Sequence, residues 1–323
     1  MKPVVKLLVI KLSAVGDFVL AFPAFERIRA VHRDAKITLL TTPPFEALAL
    51  ASPFFDHVDI DGRPRGPAAW LGLILRLRRE RYDRVYDLQN NDRTNVYFQM
   101  LRPFQPVWSG VAAGCALPHR NRARMNMHAL ERQAEQLRDA GVWPDAPTAP
   151  LSAPPPDLSW ILSKTPAPRA VAGRTPRPLA LLVPGSSAHR PEKRWPVEHY
   201  ADLAARLEAK GFDVLIIGGP QESTLAHAIQ SRARRARDLT GRTDFAQIAA
   251  LGARAAIAVG NDTGPVHLIV AAGAPTIALF SSASDPALCG PRGHVTVFQA
   301  PDLADVPVDT VLGAALALAA PSS

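Results

Sequence analysis

Gly260-Asn261-Asp262-Thr263-Gly264-Pro265-Val266-His267 lies between two apolar runs, Ala255 to Val259 and Leu268 to Phe280. Ala255 to Val259 has the composition of a strand buried on both faces. Gly260 is expected to end it, because the Asn, Asp, Thr and Gly after it form turns and helix N-caps. Pro265 suits a first helical turn, where its missing N–H would have no helical partner. The stretch predicts strand, tight turn, helix. Free backbone N–H groups and the helix dipole at such a start both favour an anion, and His267 in the first turn could reach the same anion. An ordinary capped helix of an α/β protein carries the same local signals, so the stretch alone leaves the choice open.

Upstream, the same alternation recurs through residues 179–260. Leu179 to Val183 is a strand followed by the loop Pro184-Gly185-Ser186-Ser187. A helix runs from Val197 to Lys210, a strand from Phe212 to Gly218, and helices from Glu222 to Arg232 and from Phe245 to Arg254. Beyond the opening stretch come a strand, Thr276 to Phe280, and an amphipathic helix, Val308 to Leu318. The first half repeats the pattern. Val4 to Lys11, Lys36 to Thr41, Val58 to Ile60 and Arg84 to Leu88 read as strands. Phe18 to Val31, Pro43 to Ala51, Trp70 to Arg81 and His128 to Ala140 read as helices. Strands alternating with helices imply parallel, doubly wound sheets.

Between the halves, ten prolines crowd Pro144 to Pro178, a density that no regular element tolerates. The expected organisation is an N-terminal Rossmann-like domain over 1–155, a linker over 156–178 and a C-terminal Rossmann-like domain over 179–323. Leu158 to Leu162 is a possible helical turn within the linker, and the terminal helix has the option of packing back on the first domain. Two such halves are expected to face a central cleft, with ligands at the carboxyl ends of the sheets.

Composition narrows the function. The 323 residues are 47% hydrophobic and 20% charged, enough to bury a substantial core. No apolar run reaches the ~20 residues of a membrane helix, and the N-terminus lacks a signal-peptide pattern. Cys115 and Cys289 are too few and too far apart for a disulfide framework, which suits a reducing cytoplasm. The net charge of +8 and pI near 9.9 fit either an arginine-rich composition or an anionic partner. Sparse aromatics and the lack of a recognised module argue against nucleic acid. A dinucleotide Gly-x-Gly-x-x-Gly after a strand, a Gly-x-x-x-x-Gly-Lys-Ser/Thr loop, zinc spacing and a Gly-x-Ser-x-Gly elbow are all missing. Dehydrogenases, P-loop NTPases, zinc sites and α/β-hydrolases are thereby disfavoured. Asp17, following the first strand, suits a general base for an incoming hydroxyl and equally a helix N-terminal carboxylate stabilised by the dipole.

Five blocks in order resemble the lipopolysaccharide heptosyltransferase family, glycosyltransferase family 9. They are Lys11-Leu12-Ser13-Ala14-Val15-Gly16-Asp17-Phe18-Val19-Leu20; Asp87-Leu88-Gln89 with Arg93; Pro184-Gly185 with Lys193-Arg194-Trp195-Pro196; Gly218 to Glu222; and Asp262 to His267. The resemblance implies a GT-B fold, with the acceptor in the N-terminal domain and a nucleotide sugar in the C-terminal one. It implies an inverting transfer of a heptose or related sugar from an ADP-sugar to a lipopolysaccharide core or other envelope glycan, with no metal or other cofactor. Asp17 would be the catalytic base. Ser186, Ser187, Lys193, Glu222, Asp262, Thr263, Gly264 and His267 would bind the donor, with Glu222 on the ribose. Positioned donors and a cation would take the place of a metal at the departing diphosphate. Ser13, Gln89, Arg93 and Arg120 would meet the acceptor, with Arg122 and Arg124 as further candidates against a background of scattered surface arginine.

Two segments depart from the family pattern. The loop Ser187 to Lys193 carries Ala188-His189-Arg190-Pro191-Glu192, and the resemblance does not fix its length or the register of its phosphate contacts. After Phe280 stands Ser281-Ser282-Ala283-Ser284-Asp285-Pro286 in place of the usual Gly-Pro-Thr, in a segment expected to line the donor-sugar pocket. The basic surface and the family together predict a cytoplasmic enzyme, peripheral at the inner face of an anionic membrane, acting on a phosphorylated lipid-linked glycan. A nucleotide-sugar epimerase or hydrolase of the same fold and a non-catalytic sugar-nucleotide-binding protein are the alternatives.

Overall fold

The structure, a computed structural model, describes residues 5–166, 168, 177–187 and 190–319. The chain divides into two compact units, Met1–Pro155 and Pro156–Ser323.

The first unit is built on β1 (Lys6–Ile10), β2 (Lys36–Leu40), β3 (His57–Asp59), β4 (Arg84–Asp87), β5 (Val107–Gly110) and β6 (Leu117–Pro118), with helices α1 (Val15–Val19), α2 (Phe22–Val31), α3 (Glu46–Ala51), α4 (Pro67–Glu80), α5 (Asp92–Met100) and α6 (Ala129–Asp139). The strand order is β3-β2-β1-β4-β5-β6, and every pairing is parallel. Leu7 to Ile10 are buried throughout, as a strand covered by helices on both faces must be. One face is packed by Leu73, Leu77, Phe98 and Trp108. On α1 and α2, Phe18, Phe22 and Phe25 meet edge to face, and Phe18 stacks on Phe45 at 4.4 Å. The helix expected over Phe18 to Val31 is two helices. Pro23 has no N–H to give the carbonyl one turn back, so it sits in the first turn of a new helix rather than inside a continuous one.

The second unit contains β7 (Leu179–Val183), β8 (Asp213–Ile216), β9 (Arg237–Asp238), β10 (Ala255–Asn261), β11 (Thr276–Phe280) and β12 (Val295–Gln299). Its helices are α7 (Ile161–Lys164), α8 (Val197–Ala209), α9 (Ser223–Gln230), α10 (Phe245–Gly252), α11 (Gly264–Ala271), α12 (Pro286–Cys289) and α13 (Val308–Ala319). The order β12-β11-β10-β7-β8-β9 repeats the topology of the first sheet. In each sheet the chain reverses direction beside its first strand, at β1/β4 and at β7/β10. The carboxyl ends on either side of such a reversal form the crevice where open α/β sheets bind ligands.

Two expectations are corrected. Gly260 does not end its strand: β10 continues through Asn261. Glycine is needed there for close approach, since a Cβ would lie 2.5 Å from Val266 Cγ2 and 2.8 Å from Val183 Cβ. The stretch 156–164, read as linker, packs on the second unit. Leu158 and Ile161 are fully buried, and the Leu158 N–H donates to the Ala271 carbonyl at 2.9 Å. Two apolar residues three apart supply the face that seats this turn. Residues 167 and 169–176 of that stretch lie outside the described residues. The terminal helix α13 buries Val311, Leu312 and Ala315 in the core of its own unit, against β10, β11 and α8.

Candidate active site

In the second unit the site begins with a buried amide. Asn261, the last residue of β10, has no exposed surface. Its Oδ1 accepts from the Trp195 N–H at 3.0 Å and the Tyr200 hydroxyl at 3.1 Å, while Nδ2 donates to the Pro184 carbonyl at 2.8 Å and the Gly185 carbonyl at 3.3 Å. One side chain ties the loop after β7, the entry to α8 and the end of β10 together, with its polar atoms satisfied. Burial pushes the Tyr200 hydroxyl well above its ordinary range, against a backbone hydrogen bond at Asn261, so it stays protonated as the donor to Oδ1. From sequence alone Asn261 reads as a turn former. The available signal is an amide in line with a fully apolar strand.

The next residue, Asp262, collects two donors. Lys193 Nζ and Ser284 Oγ each lie 2.6 Å from its Oδ2. The Lys193–Asp262 pair is mostly withdrawn from solvent, at 17% and 9% exposure, where a charge-assisted bond holds both groups. Ser284 is not among the expected site residues, although its segment is. Thr263 is the N-cap of α11 in an extended conformation, Gly264 and Pro265 open the helix, and His267 is buried in it. Ser186 is also buried. Its hydroxyl donates to the Arg190 carbonyl at 3.0 Å and accepts from Arg194 Nε at 3.1 Å, so it braces its own loop. Ser187 is exposed, and Ala188 and His189 lie outside the described residues. Glu222 folds back over the glycines before it, where its Oε2 accepts from the Gly219 N–H.

In the first unit, the β1/β4 register brings Ile10 beside Asp87, and with them the loops at the ends of both strands. Gln89 Oε1 accepts from the N–H groups of Leu12 at 2.8 Å and Ser13 at 3.1 Å. Thr41 and Thr42 donate to the Lys11 and Leu12 carbonyls at 2.7 and 3.1 Å. Gln89, expected to touch the acceptor, thus has its carbonyl oxygen engaged in fixing the loop that carries Asp17. Asp17 is part-exposed on α1, its Oδ2 accepting from the Ala14 N–H at 3.4 Å. Ser13 Oγ meets Arg63, a residue outside the expected set. Arg93 lies 5.4 Å over the Trp70 ring. Arg120 is exposed on the loop after β6, flanked by His119 and Asn121, which both bond Glu135 Oε2 at 2.8 Å. Asp87 is fully buried, and burial pushes its carboxyl up to about 6. A hydrogen bond from Thr94, the Asn90 and Gln89 N–H groups and the charge of Lys11 oppose the rise.

The two crevices carry different chemistry. The second offers a helix start beside an ammonium–carboxylate pair and a carboxylate over glycines, a set suited to phosphates and hydroxyls. The first offers a carboxylate on a backbone pinned by side chains, with Arg63 on the neighbouring Ser13.

The profile of "Glycosyltransferase family 9 (heptosyltransferase)" matches residues 70–300. The chain belongs to glycosyltransferase family 9. As a family 9 member it is a glycosyltransferase with the GT-B fold. It is 26% identical over 317 residues to lipopolysaccharide heptosyltransferase 2 of Escherichia coli (strain K12), covering 90% of this chain and 86% of the relative. Its identity to the Salmonella typhimurium protein of the same name is 28% over 307 residues, with 90% and 86% covered. The solved structure of the Escherichia coli ADP-heptose lipopolysaccharide heptosyltransferase II superposes with a TM-score of 0.81 at 24% identity, covering 97% of this chain and 98% of that one. At that identity the superposition speaks for the fold.

Proposed function

We propose that this family 9 enzyme transfers a heptose from an ADP-sugar to a lipopolysaccharide-core acceptor, with inversion at the anomeric carbon. The observation that carries the reading is the Lys193–Asp262 pair at the start of α11, in a chain whose relative is described as an ADP-heptose enzyme. Lys193 and the α11 start neutralise the diphosphate as charge develops on it, a fixed electrostatic arrangement that needs no metal. Glu222 takes ribose hydroxyls. Ser187, Thr263, Gly264 and His267 complete the donor contacts, and Ser284 with Asp262 orients the sugar.

On the acceptor side Asp17 removes the proton from the attacking hydroxyl. The acceptor oxygen forms its bond to the anomeric carbon as the bond from that carbon to the β-phosphate oxygen breaks. The electron pair leaves with ADP, and the proton passes from Asp17 to solvent. Ser13, Arg63, Arg93 and Arg120 meet the acceptor's anionic groups, where the planar guanidinium is suited to phosphate and carboxylate. The net charge of +8 supports work at the cytoplasmic face of an anionic membrane.

Calorimetric titration with ADP-, UDP- and GDP-sugars tests the donor, and binding confined to UDP- or GDP-sugars would overturn it. Asp17→Asn in folded protein tests the base: a loss of at least about 100-fold in transfer is expected, and near-wild-type turnover would remove Asp17 from the role. The anomeric configuration of the product, read by NMR, tests inversion. Product formed without any acceptor would point to the epimerase or hydrolase alternative.

A further inference from the structure

α4 and α5 cover one face of the first sheet. Leu73, Leu77, Phe98 and Leu101 share a core there, and Trp70 meets Tyr97 edge to face at 5.2 Å. The outward side of this layer is not the polar surface that a solvated helix pair presents. Leu71, Leu75, Val96, Met100 and, in the loop after α5, Phe104 are exposed by 37% to 89%. Leu71, Leu75 and Arg78 share one stripe of α4 by helical spacing. Arg78 Nη2 donates to the Met100 and Arg102 carbonyls at 2.7 and 2.8 Å, which ties the end of α4 to the α5–β5 loop. Between them an open cleft of about 680 Å³ has Leu77, Leu101, Pro103 and Phe104 on its walls together with Arg78 and Arg81. Arg79, Arg81 and Arg102 are exposed. The acids nearest in sequence to Arg79 and Arg81 are taken up by Lys6: Glu80 Oε2 lies 3.1 Å from its Nζ, and Asp83 Oδ2 accepts its backbone N–H at 2.7 Å.

We propose that this face seats the enzyme on an anionic bilayer, with Leu71, Leu75 and Phe104 at the boundary of headgroups and acyl chains and the arginines on lipid phosphates. The inference rests on the membrane-peripheral reading and assigns it to particular residues. Contiguous exposed apolar side chains mark an interaction surface, and apolar groups beside guanidinium groups match the hydrocarbon and the phosphate of one lipid. A second copy of the chain fits less well, since a self-complementary contact would set one arginine cluster against another. Trp70, near the opposite end of α4, lies 5.4 Å beneath Arg93, a residue assigned above to the acceptor. The face therefore runs from the lipid contacts to an acceptor-binding residue.

The test is sedimentation with vesicles of phosphatidylcholine, with and without phosphatidylglycerol. Leu75→Ser/Phe104→Ser removes the apolar contacts and keeps the charge, whereas Arg79→Gln/Arg81→Gln does the reverse. Each pair is expected to lower partitioning onto the anionic vesicles by at least about 10-fold. The control is Arg232→Gln/Arg234→Gln, which removes the same charge from exposed positions of the second unit and should lower it by less than about threefold. Transfer to a soluble core oligosaccharide and the melting temperature should stay unchanged in all three. If Leu75→Ser/Phe104→Ser fails to fold, the arginine pair carries the measurement. Wild-type partitioning in a folded face variant overturns the inference and leaves the membrane reading standing, as does an equal loss in the control, which would make net charge the cause. Wild-type protein indifferent to phosphatidylglycerol overturns both. A lipid-free dimer that Leu75→Ser/Phe104→Ser dissociates would make the face a contact between copies and overturn the inference alone.

Discussion

The Glu222 carboxylate lies where a side chain on Gly185 would have to go: a Cβ built there stands 2.5 Å from Oε1 and 2.6 Å from Cδ. The same carboxylate is 2.9 Å from a Cβ on Gly218. Two glycines on neighbouring loops thus shape one pocket around one acid. Gly185→Ala must displace Glu222. We expect at least about a 10-fold loss of ADP affinity by calorimetry, with destabilisation of about 1–3 kcal/mol from overpacking. Unaltered ADP affinity in a folded variant would separate Glu222 from the nucleotide.

Asn261→Leu preserves volume and abandons the groups that the amide holds. The Trp195 N–H, the Tyr200 hydroxyl and the Pro184 carbonyl lose partners in a buried setting, and unsatisfied groups cost about 1–3 kcal/mol each before relaxation. A net loss of about 3 kcal/mol is expected, confined to the second unit. Hydrogen exchange at the β7 and β10 amides reads it. A loss below about 1 kcal/mol would mean the three loops hold together without the amide.

Lys193 and Asp262 are expected to act as one element. Removing either partner strands the other in a largely desolvated place, so Lys193→Ala and Asp262→Ala should each reduce transfer by at least about 100-fold. The double variant should be little worse than the singles, with a coupling of about 1–3 kcal/mol in the activity cycle. Additive losses would show two independent roles.

Asp87 gives the first unit a pH dependence of defined sign. Its folded pKa of about 6 stands above the ordinary 3.8, so the folded state holds that proton more tightly than the unfolded chain does. Its stabilising contribution is present below about pH 4 and is lost as pH rises through 6, a change of roughly 3 kcal/mol. Asn at 87 can still accept the Gln89 and Asn90 N–H bonds without carrying a charge. Urea midpoints of Asp87→Asn should therefore improve relative to wild type between about pH 4.5 and 7.5. Parallel curves across that range would refute the shift.

Membrane association is read by sedimentation with vesicles. Binding should rise with the fraction of anionic lipid and fall between about 50 and 500 mM salt, since exposed charges are screened over about 10 Å at 0.1 M. Indifference to both lipid charge and salt would remove the peripheral assignment.

Much of the architecture is legible from apolar periodicity. Leu179–Val183 coincides with its expected strand, and α8, α10 and α13 start where patterning puts them. The unread elements are instructive. β6 and β9 have two residues each, too few for any alternation to register. α5 has no counterpart among the expected elements, because its start, Asn91-Asp92-Arg93-Thr94, is polar. That run is itself a cap, with Asn91 Oδ1 accepting the Thr94 N–H at 3.1 Å. β12 is an edge strand whose side chains are half exposed, so its apolar signal is weak.

Motif spacing names Asp17, Lys193, Glu222 and Asp262 as candidates. It does not name Asn261, nor the loop-fixing bonds of Gln89. These bonds span 66 to 77 positions, and no local pattern records a partner that far along the chain. Ser284 reaches Asp262 across 22 positions, from a segment without a family counterpart.

Each sheet is contiguous in the chain. All six strands of the first come from residues 1–155, and all six of the second from residues 156–323. On a ribosome, the first sheet has every strand at hand while the second unit is still being made, an interval on the order of ten seconds or more at typical elongation rates. Parallel pairing is slow because it must close long loops. A chain laid out this way meets that delay in two separate rounds, and in neither does an exposed sheet edge wait for a strand encoded in the other half.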